Sequence, residues 1–429
     1  MTGASRRSSA LKATLCGALT LCGALLPEPL SAEPAPWVGP GEMPIPRWVR
    51  SAEVTRSDEP LYLGPSSAEP RRGAAAKGAR LPVFGARRGS GCEGRFLLVG
   101  ALAWLCEDGA QLSEAAPDAE GDTALPRSRD GLPYRYYFVG PDGSFGYHAV
   151  QTAEDGVPDA QLLKGFGVAV IRVENNPQGT PFGLTSEELW VPMRDLNPVA
   201  PLPFHGRELD GTLDVAWVTT NNAIATHAPD KPKDPKLKLA KFQELSILER
   251  RDVAGHHWYR FAGDAWLSDR DARSPTRAEL PAELRPGERW LDVDLKSQVL
   301  TAYVGERPVF ATLVSTGRGE GSSVLATPRG SRRLWVKLRA SNMGNLDDES
   351  AAENYEIQAV PWVMYFDHGY GLHGTFWHRD FGNKHSHGCV NLAPLDAERL
   401  FSWTSPKLPP GWTAALPTAY EPGTLIRVR

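Results

Sequence analysis

Turn formers scattered between short apolar runs constrain this chain more than any other feature. Its 429 residues include 42 glycines and 37 prolines, and between them stand runs such as Phe96-Leu97-Leu98-Val99 and Val168 to Val173. Such runs are long enough for strands and too short for most helices. The expected fold class is therefore mainly β. At roughly 150 residues per domain the length predicts about three folded units. Hydrophobic residues at 41% and charged residues at 23% are globular values and exclude a disordered or polytopic membrane chain. Lys plus Arg number 47 against 51 Asp plus Glu, a formal net charge of -4, so no excess of positive charge draws a phosphate backbone and nucleic acid is not an expected partner.

Residues 1–32 read as a signal peptide. Arg6, Arg7 and Lys12 form a basic region, the uncharged run Ala13 to Pro27 is short for a bilayer span, and Leu30-Ser31-Ala32 offers a small-residue cleavage site. The expectation is export to the periplasm or cell envelope. Three variants of the anchor stay open: Ser5-Arg6-Arg7 resembles a twin-arginine signal, Leu19-Thr20-Leu21-Cys22 resembles a lipoprotein box with a bulky Leu21, and the segment could stay uncleaved. The membrane is expected as a partner only through such a signal or lipid anchor. Export also sorts the five cysteines. Cys16 and Cys22 fall in the signal, and Cys389 is alone. Cys92 and Cys106 close a 15-residue loop around an apparent hairpin, where a disulfide contributes about 3 kcal/mol in the chain-entropy model; two buried free thiols are the alternative. An unpaired Cys389 is either a buried small hydrophobe or a nucleophile.

Residues 33–59 hold prolines without apolar pattern and read as a linker. A first small β module follows at 60–112, then a β-rich module at 131–201 with turns at Pro141-Asp142-Gly143 and Asn175-Asn176-Pro177, a further module at 205–272, and a last unit at 288–429 after the Pro-rich Ser274 to Pro286. Gly100-Ala101-Leu102-Ala103-Trp104-Leu105 and Gly263-Asp264-Ala265-Trp266-Leu267 each follow an aromatic strand and precede an acidic turn. This pattern resembles bacterial SH3-like domains, small barrels carried by exported cell-wall enzymes, and the resemblance implies SH3-like modules at 60–112 and 205–272 that bind the wall or a partner; spacers that only position the last unit are the alternative. The last unit carries 15 basic and 15 acidic residues, so no long-range field gathers its substrate.

Chemistry concentrates near the C-terminus. Five of the ten histidines, His368, His373, His378, His385 and His387, lie within 20 positions, and Cys389 falls among them in Ser386-His387-Gly388-Cys389-Val390-Asn391-Leu392. A nucleophilic cysteine needs a base to take its proton. His373, in Leu372-His373-Gly374-Thr375, can reach it from a neighbouring strand, while His387 shares a face with Cys389 on an extended strand and is a rival base on geometry alone; it is assigned to shaping the pocket. Gly388 lets the backbone approach a substrate closely, and the Gly388 and Cys389 N–H groups are candidates to face an oxyanion.

His-Gly, a spacer, then Ser-His-Gly-Cys-hydrophobic-Asn resembles the signature of L,D-transpeptidases of the YkuD type. Val314-Ser315-Thr316-Gly317, Thr327-Pro328-Arg329-Gly330 and Pro361 to Phe366 follow that family's order as well. Asn391 departs from it where many members carry arginine. The resemblance implies a β-sandwich catalytic domain without cofactor or metal, with Cys389 as nucleophile and His373 as its base, preferred to His387 because it matches the family's base. It implies a backbone carbonyl near Gly374 orienting the imidazole, support from Ser386 and Asn391, and Tyr365 lining the site. It also implies peptidoglycan stem peptides as substrate, a thioester that releases D-alanine and is resolved into a 3-3 cross-link, and carbapenems as covalent inhibitors. Transfer to water (a carboxypeptidase) or to a protein lysine stays open, as does a catalytically idle wall-binding protein. Zinc held by His373, His378, His385, His387 and Cys389 is the rival chemistry, although no HExxH or paired CxxC spacing is present. The acidic stretch Met343 to Glu356 looks like a lid over the cleft, or an ordinary solvated loop.

Overall fold

Short strands make up nearly all of the regular structure among the described residues, and several, such as 215–218 and 299–304, are buried on both faces. The computed structural model describes residues 41–119, 130–200, 202, 204–344 and 355–429. The expected signal peptide at 1–32 and residues 345–354 of the expected lid lie outside them. Among the described residues no helix is long and apolar enough to cross a membrane.

Strand β1 (Ser51–Val54) buries Ala52 and Val54 and pairs on both sides, with residues 80–82 and 110–113. It falls inside the stretch expected as a linker at 33–59. Four residues are too few to show a period, and pairing rather than pattern makes them a strand. β2 (Arg71–Ala75) and the hairpin of β3 (Phe96–Gly100) and β4 (Ala103–Cys106) complete this region, with Leu61, Leu97 and Leu105 fully buried. Cys92 and Cys106 are disulfide-bonded at the open end of the hairpin. Further along, β5 (Arg135–Val139) pairs antiparallel with β6 (Gly167–Asn175). β7 (Val215–Val218) and β8 (His256–Ala262) belong to a third cluster, packed on Ala216, Val218, Tyr259 and Leu267.

The C-terminal part is a sandwich. β9 (Arg289–Asp294), β10 (Val299–Val304) and β11 (Arg307–Leu313) form an antiparallel meander, and β12 (Gly330–Arg333) lies in the same six-stranded sheet. Facing it are the long hairpin β13 (Val336–Gly344) and β14 (Glu356–Asp367), then β15 (Tyr370–Gly374) and β16 (Val390–Leu392). Helix α1 (Pro394–Trp403) starts with proline at its first position, where the missing N–H costs nothing. The chain closes with β17 (Trp412–Ala415) and β18 (Leu425–Val428), the latter parallel to β9. Leu291, Val293, Leu300 and Phe310 from one sheet meet Met364, Phe366, Leu372 and Val390 from the other, and α1 adds Ala397, Leu400 and Phe401. This is sheet-on-sheet packing around one core.

The sheet bearing β13 to β16 continues beyond this sandwich. β17 pairs with β13 on one side and β2 on the other, and Gly167 of β6 bridges Ile357 of β14, so 15 strands join. Trp412 is 2% exposed in the core that also holds Leu61 and Leu97. The N-terminal and C-terminal parts therefore share a strand and a core.

Candidate active site

Leu372 to Gly374 on β15 run parallel to Val390 to Leu392 on β16, with His373 opposite Asn391. Cys389 immediately precedes β16, and the Gly371 N–H is directed at its sulfur. A diagonal step across parallel strands is about 8 Å between Cα atoms, from a spacing of about 4.8 Å and a rise of about 3.3 Å per residue. Two side chains can bridge such a step. The Cys389 sulfur is half-buried and makes its own weak contact with Gly369 O at 3.8 Å. Burial pushes the thiol above its ordinary value, offset in part by the Gly371 N–H.

His373 is 2% exposed. Its Nδ1 lies 3.2 Å from Gly374 O and 3.3 Å from Thr375 Oγ1, and its ring stacks on Trp377 at 5.6 Å. A proton on Nδ1 donated to the carbonyl leaves Nε2 as the acceptor. Burial lowers the imidazole to about 4, so both the base and the thiol rest neutral near pH 7. Gly374 is glycine because a Cβ there would stand 2.9 Å from Pro361 Cγ and 3.4 Å from Ala397 Cβ.

The loop before Cys389 is tied down by hydroxyls. Thr327 Oγ1 accepts from Gly317 N–H and donates to Gly388 O, each at 2.8 Å. Gly388 has φ +123°, and a Cβ would lie 2.3 Å from the Tyr370 ring, so glycine alone fits. Ser386 Oγ donates to Cys389 O and accepts the Gly388 N–H at 3.1 Å. The expectation that Gly388 N–H faces an oxyanion is thereby corrected: the local serine turn has already taken it. Cys389 N–H is left as the candidate donor.

His387 is exposed; its Nε2 accepts from Arg318 at 2.8 Å and its ring stacks on Tyr355 at 5.8 Å. Its lone pair is spent on Arg318. Tyr365 stacks on Trp335 at 5.8 Å, and burial followed by the nearby Cys389 charge raises its phenol; Tyr355 is raised the same way. Asn391 is 3% exposed and faces His378 rather than open solvent, with Nδ2 2.8 Å from Nε2 and Oδ1 buried without a partner among the described residues. His378 Nδ1 accepts the Asp380 N–H at 3.2 Å, so its neutral ring carries the proton on Nε2. Turning the amide over would present Oδ1 to that proton. His385 pairs with Asp380 at 3.1 Å. His378 and His385 thus share Asp380, with their rings 4.2 Å apart, while His373 and His387 bond elsewhere. Among the described residues the metal-capable grouping is Cys92, Cys106 and Asp108, whose sulfurs form the disulfide.

Sequence reading missed Arg318, Thr327, Tyr355 and the His378–Asn391 contact. Each is joined to the motif by a pairing distant in sequence, such as the bridges of Ser315 to Asn391 and of Gly317 to Ser386.

The two-sheet domain thus places a cysteine and an oriented, buried imidazole on parallel neighbouring segments. Residues 288–428 match the family of L,D-transpeptidase catalytic domains, YkuD. No curated protein matches the chain. Among solved structures, the catalytic domain of an Enterococcus faecium L,D-transpeptidase is 23% identical over 33% of this chain and 98% of its own, with a TM-score of 0.26. L,D-transpeptidase 3 from Mycobacterium tuberculosis is 17% identical over 33% and 60%, with a TM-score of 0.26. LdtMt1, solved in complex with imipenem, is 18% identical over 41% and 77%, with a TM-score of 0.27.

Proposed function

We propose that the chain is an exported L,D-transpeptidase that forms 3-3 cross-links between peptidoglycan stem peptides. The observation that supports this reading is His373 Nδ1 on Gly374 O, which leaves Nε2 of a neutral, buried ring as the acceptor on the strand parallel to the one that Cys389 precedes. His373 takes the thiol proton as sulfur attacks the carbonyl of the diamino acid at stem position three, and the oxyanion falls to the Cys389 N–H. Collapse breaks the C–N bond; His373 protonates the leaving amine, and D-alanine departs from a thioester. An amine of a second stem then attacks the thioester carbonyl and gives its proton to His373. The C–S bond breaks and the proton returns to sulfur. Carbapenems would acylate the same sulfur.

Incubation with purified sacculi and mass spectrometry of the muropeptides tests this. New 3-3 dimers that vanish with Cys389→Ala support it. Loss of terminal D-alanine without dimers would identify water as acceptor, and neither change would sink the reaction.

A further inference from the structure

A cleft of about 740 Å³, lined by neither Cys389 nor His373, lies between the region of β8 and one end of the six-stranded sheet. The topology brings that end together: β9 and β18 finish there, and β10 and β12 begin there, since β18 runs parallel to β9 and the others run antiparallel. The turn after β9 contributes Lys296 and Ser297, the start of β12 contributes Arg329, and the chain after β8 contributes Arg270 and Arg273. Five Lys or Arg side chains line the cleft against two Asp, in a molecule whose net charge is -4. Arg429 is committed to Asp292 and Asp294, and Asp269 accepts from His256. Among the described residues Arg270 bonds His256 Nε2, and Arg273 bonds the carbonyls of Asp269, Ala272 and Gly382 while the charges of Asp269 and Asp271 act on it from nearby. Lys296 and Arg329 are exposed, and their side chains hold no ion pair or hydrogen bond among the described residues. Ser297 Oγ is buried there without a partner.

Cations in excess of carboxylates around a concave site attract anions, and guanidinium forks match oxyanions in particular. A volume in the range of small-molecule pockets exceeds what one inorganic ion fills. We infer that this cleft is a binding site for an oligomeric oxyanion, a segment of a phosphate- or carboxylate-bearing polymer, held by Arg270, Arg273, Lys296 and Arg329 with Ser297 as hydroxyl donor. The site is separate from the proposed catalysis, and its test involves no turnover.

Isothermal titration of the full chain with sodium tripolyphosphate and, separately, with a triglutamate peptide distinguishes the two sources. At least one probe should bind in 50 mM salt and weaken on the order of 100-fold at 200 mM, as release of counterions from four charge contacts requires. Lys296→Glu/Arg329→Glu should weaken it at least about tenfold. Lys296→Gln/Arg329→Gln, which tests the same exposed positions without reversing charge, should weaken it less. The inference is overturned if neither probe binds, or if a probe binds the wild type and both variants alike.

Discussion

The proposed reaction has two groups exchange a proton, and both rest neutral here, which sets the pH behaviour expected of the site. His373 is buried and lowered to about 4, and burial raises the Cys389 thiol. The sulfur is then deprotonated during attack rather than stored as a thiolate beside an imidazolium. Acylation of Cys389 by imipenem, followed by intact mass between pH 4.5 and 8, should be nearly flat down to about pH 5, because a lowered imidazole stays able to accept a proton over that range. A rate that halves near 6.5, the unperturbed histidine value, would contradict it. His373→Gln should lower the acylation rate by a factor on the order of 100 or more while leaving the melting temperature within a few degrees. At this scale the motif named Cys389 and His373, and the resemblance it carries implied the carbonyl near Gly374 that His373 Nδ1 meets. The commitment of Gly388 N–H to Ser386 was not legible, because residue types alone do not tell whether a serine turn closes on itself or leaves the amide open to a ligand.

The strands and helix around the site are fixed by close approaches that substitutions can probe. Gly374→Ala pushes a methyl against Pro361 and Ala397, and should cost about 1–3 kcal/mol as an overpacked core while also displacing His373 and slowing acylation; equal stability and rate would refute the account. Lys337 on β13 is fully buried, and its Nζ donates to the carbonyls of Phe401 and Thr404 at the end of α1. Those acceptors are helix-terminal groups with no partner inside the helix. Burial, then the charge of Lys407, lowers the lysine to about 7. An unfolded chain holds that proton up to about 10.4, so between these values it binds more protons than the folded one and stability rises with pH. Denaturation at pH 7, 8 and 9 should show a slope up to about 1.4 kcal/mol per pH unit steeper than in Lys337→Met; parallel slopes would remove Lys337 as the cause. Such elements were only partly readable. Short apolar runs announced β3 and β6, whereas β1 carries just four residues and β14 runs through Pro361 with Ala359 at φ +47° and Trp362 at φ +60°. A proline inside a strand argues against the strand by sequence rules, and it is tolerated here by distortion on either side.

At the scale of the whole molecule, β17 decides whether the chain behaves as separate beads. Sequence composition divided it at Pro-rich stretches into modules, and nothing in residues 412–415 says that this strand also serves a core formed more than 300 positions earlier. Yet β17 pairs with β2 and with β13, and Trp412 packs with Leu61, Leu97 and Leu105 while Leu408 touches both this cluster and the sandwich core. Asp396 of α1 makes a comparable tie, accepting the Gly206 N–H at 2.9 and 3.0 Å and binding Thr312. Shared cores couple unfolding, since neither side keeps its buried surface when the other opens. Calorimetry should therefore give one main transition for residues spanning both regions. Trp412→Ala should lower its stability by about 3–5 kcal/mol, the range for removing a large aromatic side chain from a core, and hydrogen exchange should speed up on β2 and β13 together. Two well-separated transitions, with Trp412→Ala shifting only the one that contains β2, would mean that the catalytic sandwich stands alone and that the strand pairing is incidental to its stability.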